Sequence, residues 1–112
     1  MSAAPAVQLL WWRGCPSSEE AQALVREEMA SAGIDPASLE VREIRTDRDA
    51  EAERFIGSPT VRIDGRDIEP HDTEPVGLSC RIYRLRDGRP SPLPDRHDLR
   101  ETLRQATRGG DR

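Results

Sequence analysis

The sequence predicts an α/β domain: a central mixed sheet of about four strands, flanked by helices. Three observations carry this reading. Short apolar or alternating runs take turns with segments of helical spacing, in the order β-α-β-α-β-β-(β)-α. Asp64-Gly65 stands between two strand-like runs, the signal of a two-residue hairpin. An amphipathic stretch closes the chain, with Leu99, Leu103 and Ala106 on one face behind a capping Asp95.

Each element has its own local reason. Val7 to Trp12 is a nearly continuous apolar run, as expected of a strand covered on both faces. Arg13-Gly14-Cys15-Pro16 is a tight turn, and Ser17 with Glu20 has the spacing of a capping box. Ala21, Leu24, Val25, Met29 and Ala32 then repeat at helical spacing, and Gly33 is the natural stop. Leu39 to Ile44 is strand-like. Thr46 to Asp49 reads as the start of a short helix containing Ala50, Ala52 and Phe55 and closed by Gly57. Val61 to Ile63 and Arg66 to Glu69 are the two arms of the hairpin. Pro70 to Gly77 is a polar loop, and Leu78 to Tyr83 has period two. Arg86 to Pro94, with one Gly and three Pro, is a loop. The first two strands require a right-handed parallel crossover, and the hairpin runs antiparallel to them.

With 112 residues the chain is expected to form one domain over 1–112, ordered from about 6 to 107, with a loose end from Arg108. Basic residues number 17, all Arg, and acidic residues 21, a net charge of −4 that lacks the basic footprint of a nucleic-acid binder. The absence of Lys and Asn reads as the signature of a GC-rich genome. Hydrophobic and charged residues make up 35% and 34%, which predicts a heavily charged surface. The longest apolar run, Leu9 to Trp12, is far short of the ~20 residues of a membrane span. Met1 to Val7 has no basic residue and so lacks the charged start of a secretory signal. A cytoplasmic protein with reduced thiols, no membrane partner and no cofactor is expected. Two cysteines, Cys15 and Cys80, make neither a disulfide-rich scaffold nor a closed four-ligand zinc site. They leave a redox pair, a two-coordinate soft-metal clip, or two unreactive thiols.

Three features together resemble the thioredoxin-like superfamily: the strand-turn-helix Trp12 to Ser18, Ser58-Pro59-Thr60 directly before a strand and hairpin, and the amphipathic last helix. The runs Phe55 to Asp67 and Gly77 to Arg84 look like those of short bacterial proteins of this family, some of which carry an alkylmercury-lyase label. The resemblance spans roughly Val7 to Ala106. It implies a three-layer fold, Cys15 as the nucleophilic thiol, and a cis Pro59 beside it. The position of the usual second motif cysteine is Ser18, so Cys15-Pro16-Ser17-Ser18 is a one-thiol version that lacks the internal resolving partner.

A cysteine at a helix start faces unpaired N–H groups that favour thiolate, the species that attacks disulfides and binds soft metals. Arg13 adds positive charge nearby. The Ser18 hydroxyl either donates to the Cys15 sulfur or caps backbone N–H groups. A cis Pro59 would leave the Ser58 backbone open, so that Ser58, Pro59 and Thr60 take an extended substrate as an added strand. Of Trp11 and Trp12, one is expected in the core and the other, Trp12, along the cleft. Cys80 shares parity with Leu78 and Ile82, which makes it a small buried hydrophobe on the inner face. Topology offers another place for it. The strand after Pro59 leaves the Cys15 end and its partner returns there, so Cys80 follows a loop lying near Cys15. A disulfide then requires Cα atoms within ~7 Å. His71, in the acidic loop, and His97, in the first turn of the last helix, read as solvated surface.

The leading expectation is thiol-disulfide exchange through Cys15, resolved by Cys80 or an outside thiol, on a protein or low-molecular-weight disulfide. The alternatives are a two-thiolate module for Hg(II) or Cu(I), and a non-catalytic interaction domain. The chain is expected to be a monomer or a homodimer, the latter through an exposed sheet edge.

Overall fold

The computed structural model describes residues 4–69 and 74–109. His71, half of the loop that contains it, and the first three and last three residues lie outside the described part. The elements are β1 (Val7–Trp11), α1 (Ser18–Ser31), β2 (Glu40–Glu43), α2 (Asp47–Glu53), β3 (Thr60–Ile63), β4 (Arg66–Asp67), β5 (Tyr83–Arg84), β6 (Pro90–Ser91) and α3 (Arg96–Gly109). A mixed four-stranded sheet has the order β2-β1-β3-β4. β1 runs parallel to β2 and antiparallel to β3, as the crossover and hairpin require.

β1 is covered on both faces because its neighbours Leu9 and Leu10 point opposite ways and both are fully buried. Leu9 joins a core of Ala21, Val25 and Met29 from α1, Val61 and Ile63 from β3, and Leu99 and Leu103 from α3. Leu10 packs on the other side with Ile44, Ala50 and Phe55. The layers are therefore α1 with α3, then the sheet, then α2.

The local signals act largely as expected. Gly33 has φ +80°, its N–H donates to Ala30 O, and the Ile34 N–H donates to Met29 O, a double closure that ends α1. Asp64 and Gly65 both take positive φ, as a primed hairpin turn demands. Asp95 Oδ1 accepts from the His97 and Asp98 N–H groups at the start of α3.

Four expectations are corrected. Ser17 is the N-cap of α1 but makes no side-chain capping bond, so the Ser17–Glu20 box does not form. α2 stops at Arg54, in the left-handed region at φ +52°, and not at Gly57. The segment 86–94 contains β6, which pairs with β5 in a separate two-stranded ribbon. α3 continues through Arg108 to Gly109, where a loose end was expected.

α1 and α3 are tied by Glu28, whose carboxylate is buried and accepts from Arg100 Nε (2.6 Å) and Arg96 Nη1 (2.6 Å). The Arg100 hydrogen bond, then that of Arg96, lowers the Glu28 pKa against the opposing effect of its own burial. A depressed carboxylate stabilises the fold above its unfolded pKa and loses that contribution as pH falls through the folded value. Glu28→Gln is expected to cost about 2 kcal/mol at neutral pH, the worth of charge-assisted bonds to half-exposed arginines. The gap to the parent should close below about pH 4 in thermal melts.

Candidate functional site

Cys15 follows β1 through a turn closed by its own N–H, which donates to Trp12 O (2.9 Å). Gly14 is needed in that turn because a Cβ there would collide with the Trp12 ring. Cys15 lies two residues before the N-cap of α1 and is 5% exposed. Across from it the Ser58–Pro59 bond is cis. Two bonds fasten the Cys15 turn to this segment. The Trp12 N–H donates to Ser58 Oγ (3.1 Å), and the Cys15 thiol donates to Ser58 O (3.4 Å). The Ser18 hydroxyl donates to Cys15 O (3.5 Å), so its partner is the carbonyl and not the sulfur.

Cys80 comes to the same place from the other side. Ser79 and Arg81 grip Ser58 as a strand would: the Ser58 N–H donates to Ser79 O (2.7 Å), and the Arg81 N–H donates to Ser58 O (2.9 Å). This is an isolated parallel bridge between Ser58 and Cys80. Both thiols are free, Cys15 buried and Cys80 exposed. Partial desolvation, then a hydrogen bond with Cys15, then the charge of Cys15 raise the pKa of Cys80. Both cysteines therefore meet at Ser58, and the surroundings of Cys80 favour its protonated form.

The expected inner face of this segment is inverted. Arg81 and Tyr83 are buried, while Cys80 is exposed and Ile82 is 61% exposed. The period of two is real, but its buried parity belongs to the other residues. Tyr83 OH donates to Pro59 O (2.5 Å). Arg81 donates from Nη1 to Asp67 Oδ2 (2.7 Å) and to Thr60 Oγ1 (3.3 Å), and from Nη2 to Glu69 O (2.8 Å). Its guanidinium stacks 4.3 Å from the Tyr83 ring centroid. Burial, with smaller contributions from Asp67 and Glu69, holds the Tyr83 phenol far above its ordinary pKa, so it stays a donor. Gly57, at φ +145°, lets Arg81 approach: a Cβ there would lie 2.8 Å from Arg81 Cβ and 3.0 Å from Arg81 N.

The segment expected to receive substrate is covered by the chain itself. Ser58, Pro59 and Thr60 are all buried, and residues 79–83 of the same chain cover them. Thr60 Oγ1 is spent on Gly57 O (2.6 Å) and Arg81. Trp12 is half-buried, packed with Leu78 against Leu10 and Phe55, and Trp11 is also half-buried, so neither tryptophan is fully in the core. Arg13 and His97 are exposed. Arg81, Tyr83, Asp67 and Gly57 were not expected at the site. The alternation of Arg81 and Tyr83 against Cys80 and Ile82 is the sequence signal that marks the first two.

No protein-family model, curated protein or solved structure matches the chain. Among the described residues no helix is long and apolar enough to cross a membrane, and no group of three or more His, Cys, Asp or Glu is placed to hold a metal ion.

The pairing of the sulfurs has a measurable consequence. Alkylation of Cys80 is expected to rise at higher pH than that of an unpaired thiol, because the fold favours its protonated form. In Cys15→Ser the charge of Cys15 is gone while the desolvation stays. The midpoint of the pH–rate profile should then fall part of the way to the ordinary thiol range.

Proposed function

We propose that this chain is a thioredoxin-like thiol protein of the cytoplasm, in which Cys15 and Cys80 work as one thiol-disulfide exchange pair. The observation that carries the proposal is the convergence of both cysteines on Ser58, one through its sulfur and the other through its flanking backbone. The sheet order, the two helical layers and the cis Ser58–Pro59 bond opposite Cys15 also support it. Cys80 stands in for the resolving cysteine that Ser18 replaces.

Cys15 gives up its proton to solvent, and the thiolate so formed attacks one sulfur of a disulfide. That S–S bond breaks, and the departing thiolate takes a proton from solvent. Cys80 then gives up its proton to solvent and attacks the Cys15 sulfur of the mixed disulfide. The Cys15–Cys80 bond forms and the second thiol leaves with a proton. The substrate gains two electrons and two protons, and the chain loses both. A low-molecular-weight thiol returns the pair to the reduced state by the reverse exchange.

Mass spectrometry of the reduced chain after exposure to oxidised glutathione tests this. A species lighter by two hydrogens is expected, with Cys15 and Cys80 linked in the unreduced peptide map, formed faster than in the denatured chain. Formation of neither this link nor a Cys15 adduct above the denatured rate would falsify the proposal.

A further inference from the structure

We propose that the exchange pair acts on small disulfides and is closed to extended polypeptide, because the chain itself occupies the strand-addition edge of its site. This rests on the exchange reading above. A polypeptide captured beside a thiol gains affinity by pairing with a free backbone edge. At Ser58 that edge is taken on both sides, its N–H by Ser79 O and its C=O by Arg81 N–H. The occupying segment is firmly held. Lifting it would strip Arg81 (6% exposed) from Asp67 and from Glu69 O, and Tyr83 OH from Pro59 O. Each of these groups would then need a new partner in buried surroundings.

What stays open is on the outer side of the segment. A cleft of about 270 Å³ has Cys80 in its wall, with Ile56, Pro75, Ile82 and the charged Glu74 and Arg81. That volume suits a small organic disulfide and not a folded or extended chain. The exchange balances as written above, with the small disulfide RSSR as oxidant and two molecules of RSH released.

The test compares single-turnover oxidation of the reduced chain by bis(2-hydroxyethyl) disulfide and by a disulfide-linked pair of ten-residue peptides. Each rate is divided by that of a free cysteine peptide with the same oxidant. The small disulfide is expected to be favoured about thirtyfold, the worth of two strand hydrogen bonds denied to the peptide. Arg81→Met and the milder Tyr83→Phe should each shift the ratio toward the peptide. A peptide rate equal to or above that of the small disulfide in the parent overturns this inference and leaves the exchange pair intact. So does a ratio unmoved by either variant while both remain folded by circular dichroism. Oxidation by neither disulfide above the denatured rate overturns the exchange pair itself.

Discussion

Cys80→Ser is expected to stop the reaction of the folded chain halfway, with a mixed disulfide held on Cys15 and no internal bond. In the parent the same adduct is expected to be transient, because the fold already brings Cys80 to Ser58, the residue that Cys15 bonds. The reciprocal variant separates the roles. In Cys15→Ser the remaining thiol is exposed but partly desolvated and slow to ionise, so its adduct should form more slowly than that of Cys80→Ser at neutral pH. Intact mass against time, quenched with acid, reads both. Equal adduct rates for the two variants would remove Cys15 from the attacking role.

The second large effect is expected at Gly57, which touches neither sulfur. Gly57→Ala places a methyl group against the backbone and Cβ of Arg81 at a φ of +145°. Backbone strain and the displaced segment together should cost about 2–3 kcal/mol. The same change pushes Ser79–Arg81 off Ser58 and carries Cys80 away from Cys15. Urea denaturation should show the loss of stability, and the internal disulfide should form more slowly even where the variant is fully folded. A variant that loses stability yet oxidises at the parental rate would show that the close approach at Gly57 does not place Cys80.

Much of the fold was legible because its signals are local. Gly33, Thr46, Asp64-Gly65 and Asp95 each act within a few residues of their own position, and each ends, starts or turns an element where expected. The place of Cys15 after β1 was legible for the same reason. Cys80 was harder, because its segment belongs to no strand of the main sheet and meets it through an isolated bridge at Ser58. Its orientation is set by Arg81, which finds Asp67 on β4 and Thr60 on β3. An arginine reads as surface until a half-buried carboxylate is known to await it, and that partner is supplied by tertiary structure alone. The return of the hairpin toward Cys15 did foretell where the segment arrives. It did not foretell that the segment would lie on Ser58 and close the edge expected to receive substrate.

The most direct measurement is the effective concentration of the two thiols for each other, from equilibration of the chain with reduced and oxidised glutathione at several ratios. An unfolded chain brings two cysteines together at only about millimolar effective concentration. The folded chain is expected to exceed its own denatured value by about a hundredfold or more, because the fold brings both cysteines to Ser58. Equal values in the folded and denatured chain would mean that the fold does not pair Cys15 with Cys80, and the exchange site would be lost with it.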